Sequence, residues 1–271
     1  MPKKKDTRSP IRYLPLYGCI STGIIYAAIG VIALLSFFKL KQGGADEGSL
    51  LAYLNDYIAG KILVWIILLG TISYIIWRIY ESITDPYKYG SAAKGVLKRI
   101  GIALSVIPDA LIAYSAITVL LGTSNIQEDG QPGQQRELVS DLLNKSWGDW
   151  LVVSIGVIVI ATAIVQLVYG VTNGYRERID MARFSPAVKK TIHLLSWVGY
   201  VARGIIIGII GFFFIKGGLQ HNAAQIVNTD KAFDFIGDHV GHAFFIIVAI
   251  GTVCYGLFMF TLGIAYDEDE G

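Results

Sequence analysis

Residues Gly199–Gly211 read GYVARGIIIGIIG, and the same glycine spacing returns near the start of the chain at Gly18–Gly30, GCISTGIIYAAIG. A shift of 181 positions lays Gly18 on Gly199, Gly23 on Gly204 and Gly30 on Gly211 without a gap. The same shift pairs Gly60 with Gly241, Gly70 with Gly251, Thr71 with Thr252 and Tyr74 with Tyr255, so that GTISYIIW lies over GTVCYGLF. With 30 glycines in 271 residues, a 57-residue overlap yields fewer than one coincident glycine by composition; five occur. The chain is an internal repeat. A weaker middle copy maps Gly18 on Gly101 at a shift of 83 and Gly60 on Gly148 at a shift of 88, which places five inserted residues near Gln127–Gln135, QEDGQPGQQ.

The repeated stretches are apolar. Hydrophobic residues make up 54% of the chain and charged residues 16%, with a mean hydropathy of +0.54; a soluble domain carries roughly 25% charged residues. Uncharged runs over 17–38, 150–175 and 243–266 each exceed the roughly 20 residues that cross a bilayer. This excludes a soluble enzyme, a disordered tail and a nucleic-acid module. Six spans are predicted: 17–38, 62–80, 101–121, 150–171, 196–215 and 243–264. The first run is longer than a signal-peptide core and no small-residue cleavage site follows it, so it is expected to be retained.

Each unit therefore consists of an outward helix, an outer loop and a return helix, and an even span number keeps all three units in the same sense. The units are expected over 1–90, 91–180 and 181–271, forming one integrated all-α membrane domain with approximate threefold symmetry. Before each return helix the loops SLLAYLNDYIAGK (49–61), ELVSDLLNKSWGD (137–149) and DKAFDFIGDHVGH (230–242) space apolar residues about three apart, as in a short amphipathic helix lying at the interface. Gly60, Gly148 and Gly241 are expected to allow the sharp turn back into the membrane.

Charge sets the orientation. Lys3, Lys4, Lys5, Arg8 and Arg12, then Arg78, Lys88, Lys94, Lys98 and Arg99, then Arg176, Arg178, Arg183, Lys189 and Lys190 hold fifteen of the 23 basic residues on one side. The positive-inside rule makes that side, with both termini, cytoplasmic; the acidic end 267–270 counts little in it. Trp147 and Trp150 are expected at the outer interface, and Trp77 and Trp197 at the inner one. Arg78, near a span end, is expected to snorkel. The basic inner segments read as topology and contact with anionic lipid, without nucleic acid.

Two ionisable residues remain inside spans, Asp109 and Arg203. Each is costly alone in hydrocarbon, by about 2.5–3.5 kcal/mol on the insertion scale. Together they are expected to form a buried ion pair, serving either to fix helix register or as a relay. Pro108, directly before Asp109, is expected to loosen its helix and free a carbonyl. Gly18, Gly23, Gly30, Gly199, Gly204, Gly208 and Gly211 are read as packing glycines, with Gly204–Gly208 a small-xxx-small step. Tyr26, Tyr74, Tyr114 and Tyr255 lie within spans and need hydroxyl partners if buried.

No catalytic motif is present, so no enzyme is expected. Ser91 and Lys94 match a Ser-x-x-Lys spacing without its partner motifs, and Asn55 stands where a phosphate loop before Gly60-Lys61 needs glycine. Cys19 and Cys254 offer neither a disulfide framework nor metal spacing. His221, His239 and His242 cluster around the last outer loop, but two histidines three apart across a glycine make a poor metal site. No metal and no cofactor is expected.

In these motifs the chain resembles a family of bacterial membrane proteins, domain of unknown function 1206, whose pattern is a GYxARGxxY helix start, a loop with a Leu-rich turn before glycine, and a glycine-centred return helix. The third copy matches best; the first has Thr22, and the second, GIALSVIPDALIA, has Ser105, in place of the arginine. The resemblance spans about 13–266. It implies six helices in three repeats in a bacterial inner membrane, and it implies no activity. Three functional classes follow: first a structural or accessory subunit bound to another membrane protein, then a proton, ion or small-solute conduit using Asp109 and Arg203, then a lipid, quinone or haem binder.

Overall fold

A computed structural model describes residues 13–40, 44–86, 88–123, 130–177, 179 and 181–265. The basic residues Lys3, Lys4, Lys5, Arg8, Arg12, Arg178 and Lys41, the acidic end 267–270 and the start of the predicted insertion lie outside the described residues. No β-strand occurs among the described residues. The helices are α1 (Leu14–Phe37), α2 (Glu47–Asn55), α3 (Ile58–Thr84), α4 (Ala93–Leu104), α5 (Val106–Leu120), α6 (Gly133–Leu143), α7 (Gly148–Val171), α8 (Pro186–Leu219), α9 (Thr229–His239) and α10 (His242–Ile264).

Five of these, α1, α3, α7, α8 and α10, are long and apolar enough to cross a membrane, and the architecture is that of a multi-pass membrane protein. The predicted third span is broken into α4 and α5 at Ser105. The cause is Pro108, which has no N–H to donate to the carbonyl of Leu104, the last residue of α4. The short amphipathic helices of the outer loops are α2, α6 and α9, two of them capped by side chains. Asp46 accepts from the Gly48 and Ser49 amides, and Asn228 from the Lys231 amide.

Packing explains the glycine repeat. Within the first hairpin, a Cβ at Gly18 would lie 2.3 Å from Cβ of Tyr74, and Gly70 abuts Tyr17 and Ser21. Within the third, Gly199 lies against Tyr255 and Gly251 against Val198 and Ala202, the residues found one 181-residue shift away. Between hairpins, Gly23 meets Gly256 and Phe260, and Gly30 meets Ala249 and Val253, bringing α1 onto α10. Gly204 meets Ala163 and Leu167, and Gly211 meets Gly156 and Ile160, bringing α8 onto α7 at the matching positions of the preceding unit. Gly208, by contrast, meets only the Ala163 Cβ, at 3.7 Å. Close backbone approach of this kind substitutes for the hydrophobic driving force that is absent between helices in lipid.

The second hairpin departs from this scheme. Its outward helix α5 packs on α3, but among the described residues α5 and α7 barely touch. The helices thus follow one another in the order α7, α8, α10, α1, α3, α5. At the glycine positions of the other units the second carries Val106, Ala113 and Ile158, and a side chain added at Gly101 would meet nothing.

Several local expectations are corrected. Gly60 and Gly148 lie inside their return helices, where an added Cβ would come 1.8 Å from the carbonyl oxygen of Leu54 or Leu142; they permit close approach to the interfacial helix rather than a turn. Only Gly241 turns the chain, at φ 120°. Trp77 is 3% exposed instead of lying at the interface, because α3 runs on to Thr84 and carries it past the bundle interior. The connection after α7 is not a simple surface loop: Tyr175 and Ile179 are buried, and Met181 and Phe184 pack against the core.

Candidate functional site, an intramembrane cluster of tyrosines and charges

The apolar stripes of α1, α3, α8 and α10 enclose a polar interior. From α8, Arg203 extends Nη1 to donate a hydrogen bond to the Tyr255 hydroxyl on α10. Its guanidinium carbon lies 4.7 Å from the ring centroids of both Tyr26 on α1 and Tyr255. These rings meet edge to face at 5.2 Å, and Tyr200 adds a third edge-to-face ring 5.3 Å from Tyr255. A desolvated cation over an aromatic face gains about 2 kcal/mol or more. Tyrosine faces and one hydroxyl thus replace water around Arg203, while its Nε stays buried without a partner.

Arg78 and Glu81 on α3 form a second charged pair at 3.0 Å, with Glu81 fully enclosed. Arg78 also donates to the Tyr74 hydroxyl, and its guanidinium lies 4.9 Å from the Tyr74 ring. Arg78 therefore turns inward instead of snorkelling; α3 continues past it by six residues, so it is not at a helix end.

Asp109 is 7% exposed. The break at Ser105 puts it in the first turn of α5, where unpaired amides and the helix dipole favour a carboxylate by about 0.3–2 kcal/mol. It lies within electrostatic reach of both Arg203 and Arg78. No direct ion pair joins Asp109 to Arg203 among the described residues, because the guanidinium is taken up by the tyrosines. The two charges predicted to pair do share one interior, and Pro108 does interrupt the helix there.

Tyr26 in turn lies within electrostatic reach of Glu47 at the start of α2, and Glu47 accepts from the Thr229 hydroxyl at 3.1 Å. Ionisable and hydroxyl groups thus succeed one another from Glu81 through Arg78, Tyr74, Asp109, Tyr255, Arg203 and Tyr26 to Glu47. This succession holds two cations, Arg78 and Arg203, and three carboxylates, Glu81, Asp109 and Glu47. Tyr114, the last of the four span tyrosines singled out in the sequence, is half exposed on the outside of α5 and takes no part.

The histidines do not converge. His221 bonds Asp149 at 2.7 Å, His239 stacks on Phe235, and His242 meets the Phe37 ring. Among the described residues no group of three or more potential metal ligands forms. A cleft of about 500 Å³ lies between α7 and α8, lined by Ala163, Leu167, Gly204, Gly208 and Phe212 and bordered by Phe235; it does not include Asp109 or Arg203. The tyrosine contribution to the Arg203 site was only half visible in sequence. Each tyrosine stood out alone, but Tyr26 and Tyr255 meet across 229 positions of chain, and no local pattern encodes that meeting.

Comparison with known proteins agrees with this architecture. The family model described as Domain of Unknown Function (DUF1206) matches residues 17–85, 100–173 and 198–265, one hairpin each. A protein of Bacillus subtilis (strain 168), named uncharacterized protein YxxB, is 26% identical over 262 residues, spanning 96% of this chain and 93% of its own. No solved structure matches. Neither description states an activity. With its three hairpins each matched in turn by one family model, the chain belongs to the family Domain of Unknown Function (DUF1206).

Proposed function

We propose that this protein is a proton relay of the bacterial inner membrane, with Asp109 as the exchanging group and Arg203 as a fixed counter-charge. The reading takes both termini as cytoplasmic, on the basic side, and the three hairpins as related by an approximate threefold axis along the membrane normal. The matched glycine contacts of α1 on α10 and α8 on α7 support that symmetry. The observation that carries the function is the succession of ionisable groups through the bundle, with one buried carboxylate, Asp109, within electrostatic reach of two guanidiniums and in no ion pair among the described residues. An intramembrane carboxylate is a functional group by default, because a purely structural role is met more cheaply by an apolar residue. Arg203 does not release its proton under physiological conditions. It therefore sets the field in which Asp109 gains and loses one, while tyrosine hydroxyls, both donors and acceptors, complete the path. The process breaks and makes only O–H bonds as the proton passes on, so the reading is non-enzymatic and calls for no cofactor.

The test is flux. Purified protein in proteoliposomes with a trapped pH dye should dissipate an imposed pH gradient, and Asp109→Asn should slow this by at least about tenfold. Equal rates for the parent and Asp109→Asn would remove the proposal.

A second reading, an accessory subunit docked on another membrane protein, has its own support. Helix α7 packs chiefly on α8 and leaves Trp150, Val157, Ile164, Val165 and Val168 exposed. Apolar side chains beside the cleft suit a partner helix. A lipid, quinone or haem binder would use the same cleft and would retain its ligand on purification.

A further inference from the structure

The three outer loops meet at one buried junction, which shares only Glu47 and its donor Thr229 with the succession of groups through the bundle. Gly44 of the first loop touches Gly130 of the second so closely that a Cβ on Gly44 would lie 2.2 Å from the Gly130 Cα. A Cβ on Gly130 would lie 2.2 Å from Oδ2 of Asp230 in the third, and Gly130 itself has φ 75°. Hydrogen bonds tie the three loops together. The Gly130 amide donates to Ser49 Oγ at 3.2 Å, Asn228 Nδ2 donates to the Gly130 carbonyl at 3.1 Å, and the Ala45 amide donates to Asp230 Oδ1 at 2.6 Å. Thr229 donates to Glu47, and Ser49 donates to Asp46 Oδ2 at 2.6 Å. Asp46, Ser49, Asn228 and Thr229 are all buried.

Among the described residues the charge at this junction is one-sided. Three carboxylates, Asp46, Glu47 and Asp230, come together there. The cation beside them, Lys231, lies 3.5 Å from Asp230 and closer, at 2.8 Å, to Asp234. From below, α1 presents Tyr26 towards Glu47, and Arg136 of α6 keeps its charge while it donates from Nε to the Ile226 carbonyl. We infer that the junction is a proton-controlled clasp, which closes the outer end of the bundle as its buried carboxylates take up protons and loosens as they ionise. A protonated Asp46 can donate to Ser49 Oγ, which still accepts from Gly130, so the bonds between loops survive protonation. Ionisation puts three like charges side by side, with Lys231 the cation beside them among the described residues. In accord with this, burial pushes Asp46 up to about 6, and burial likewise pushes Asp230 up to about 6. The sign follows: the closed junction binds protons more tightly than the open one, so closure is favoured as pH falls through about 6 and is weakened above it. The clasp does not depend on what, if anything, the bundle conducts.

Spin labels at the exposed positions Asp56 and Asp238, introduced as Asp56→Cys and Asp238→Cys in a Cys19→Ser, Cys254→Ser background, report the loop separation in nanodiscs. The width of the distance distribution should grow about twofold from pH 5 to pH 8, with a midpoint near 6. Asp230→Asn, which keeps the acceptor for Ala45, and separately Asp46→Asn should each hold the distribution narrow at pH 8. A parent distribution that does not change with pH overturns the clasp, as does a pH response that persists undiminished in both variants. Failure of either variant to fold leaves the other, and the parent titration, to decide.

Discussion

The first and third hairpins are closed by the same contacts, whereas the second is not. Gly18 and Gly70 in the one, and Gly199 and Gly251 in the other, bring each outward helix against its own return helix. The second hairpin keeps Gly101, which meets no neighbour, has Ile158 in place of the return-helix glycine, holds α5 and α7 apart, and carries Pro108 and Asp109. The difference shows a division of labour in a triplicated fold. Two copies supply close packing, and the copy released from packing accommodates a helix break and a buried carboxylate. Chemistry is single-copy even where packing is duplicated: Arg203 of the third unit stands where the first has Thr22 and the second Ser105.

The largest test sets the first hairpin against the third. Where the first buries Arg78 and Glu81, the third has Met259 and Leu262. Glu81→Ala strands a guanidinium and should destabilise the protein by about 3–5 kcal/mol in detergent unfolding. Copying the third hairpin with Arg78→Met and Glu81→Leu together should be neutral or stabilising by about 1–4 kcal/mol; a loss as large as that of the single change would mean that the pair does more than balance itself. Next in size is Gly199→Ala, whose Cβ would come 2.6 Å from the Tyr255 backbone. That overpacking should lower stability by about 1–3 kcal/mol, read as a fall in Tm. The smallest effect has the opposite sign. Gly101→Ala meets nothing and should gain up to about 1 kcal/mol of helix propensity. If the two glycine variants melted alike, the contrast between closed and open hairpins would fail.

Much of this architecture can be read from the chain alone, because glycine spacing and apolar run length are local signals. The five continuous spans, the three amphipathic outer helices and the repeated glycine contacts all follow from them. The interruption at Ser105 was foreshadowed by Pro108, but its consequence was not: it makes Asp109 a first-turn residue of α5, with no direct arginine partner among the described residues. Trp77 and Arg78 look interfacial only if α3 ends where its apolar run ends, and it does not. The tucked-in Tyr175 and Ile179 were hidden because a short basic segment reads the same whether it lies on the surface or folds beneath the core. The clasp is the least legible feature. Asp46, Gly130 and Asp230 are ordinary loop residues, and only three-dimensional closure makes them neighbours.

Helix α8 runs unbroken for 34 residues, about 51 Å at 1.5 Å per residue, against a hydrocarbon core of about 30 Å. Its first turns carry Lys189 and Lys190, and the same rod holds Arg203 among the tyrosines. A displacement of that basic first turn is transmitted along a single stiff lever to the buried guanidinium.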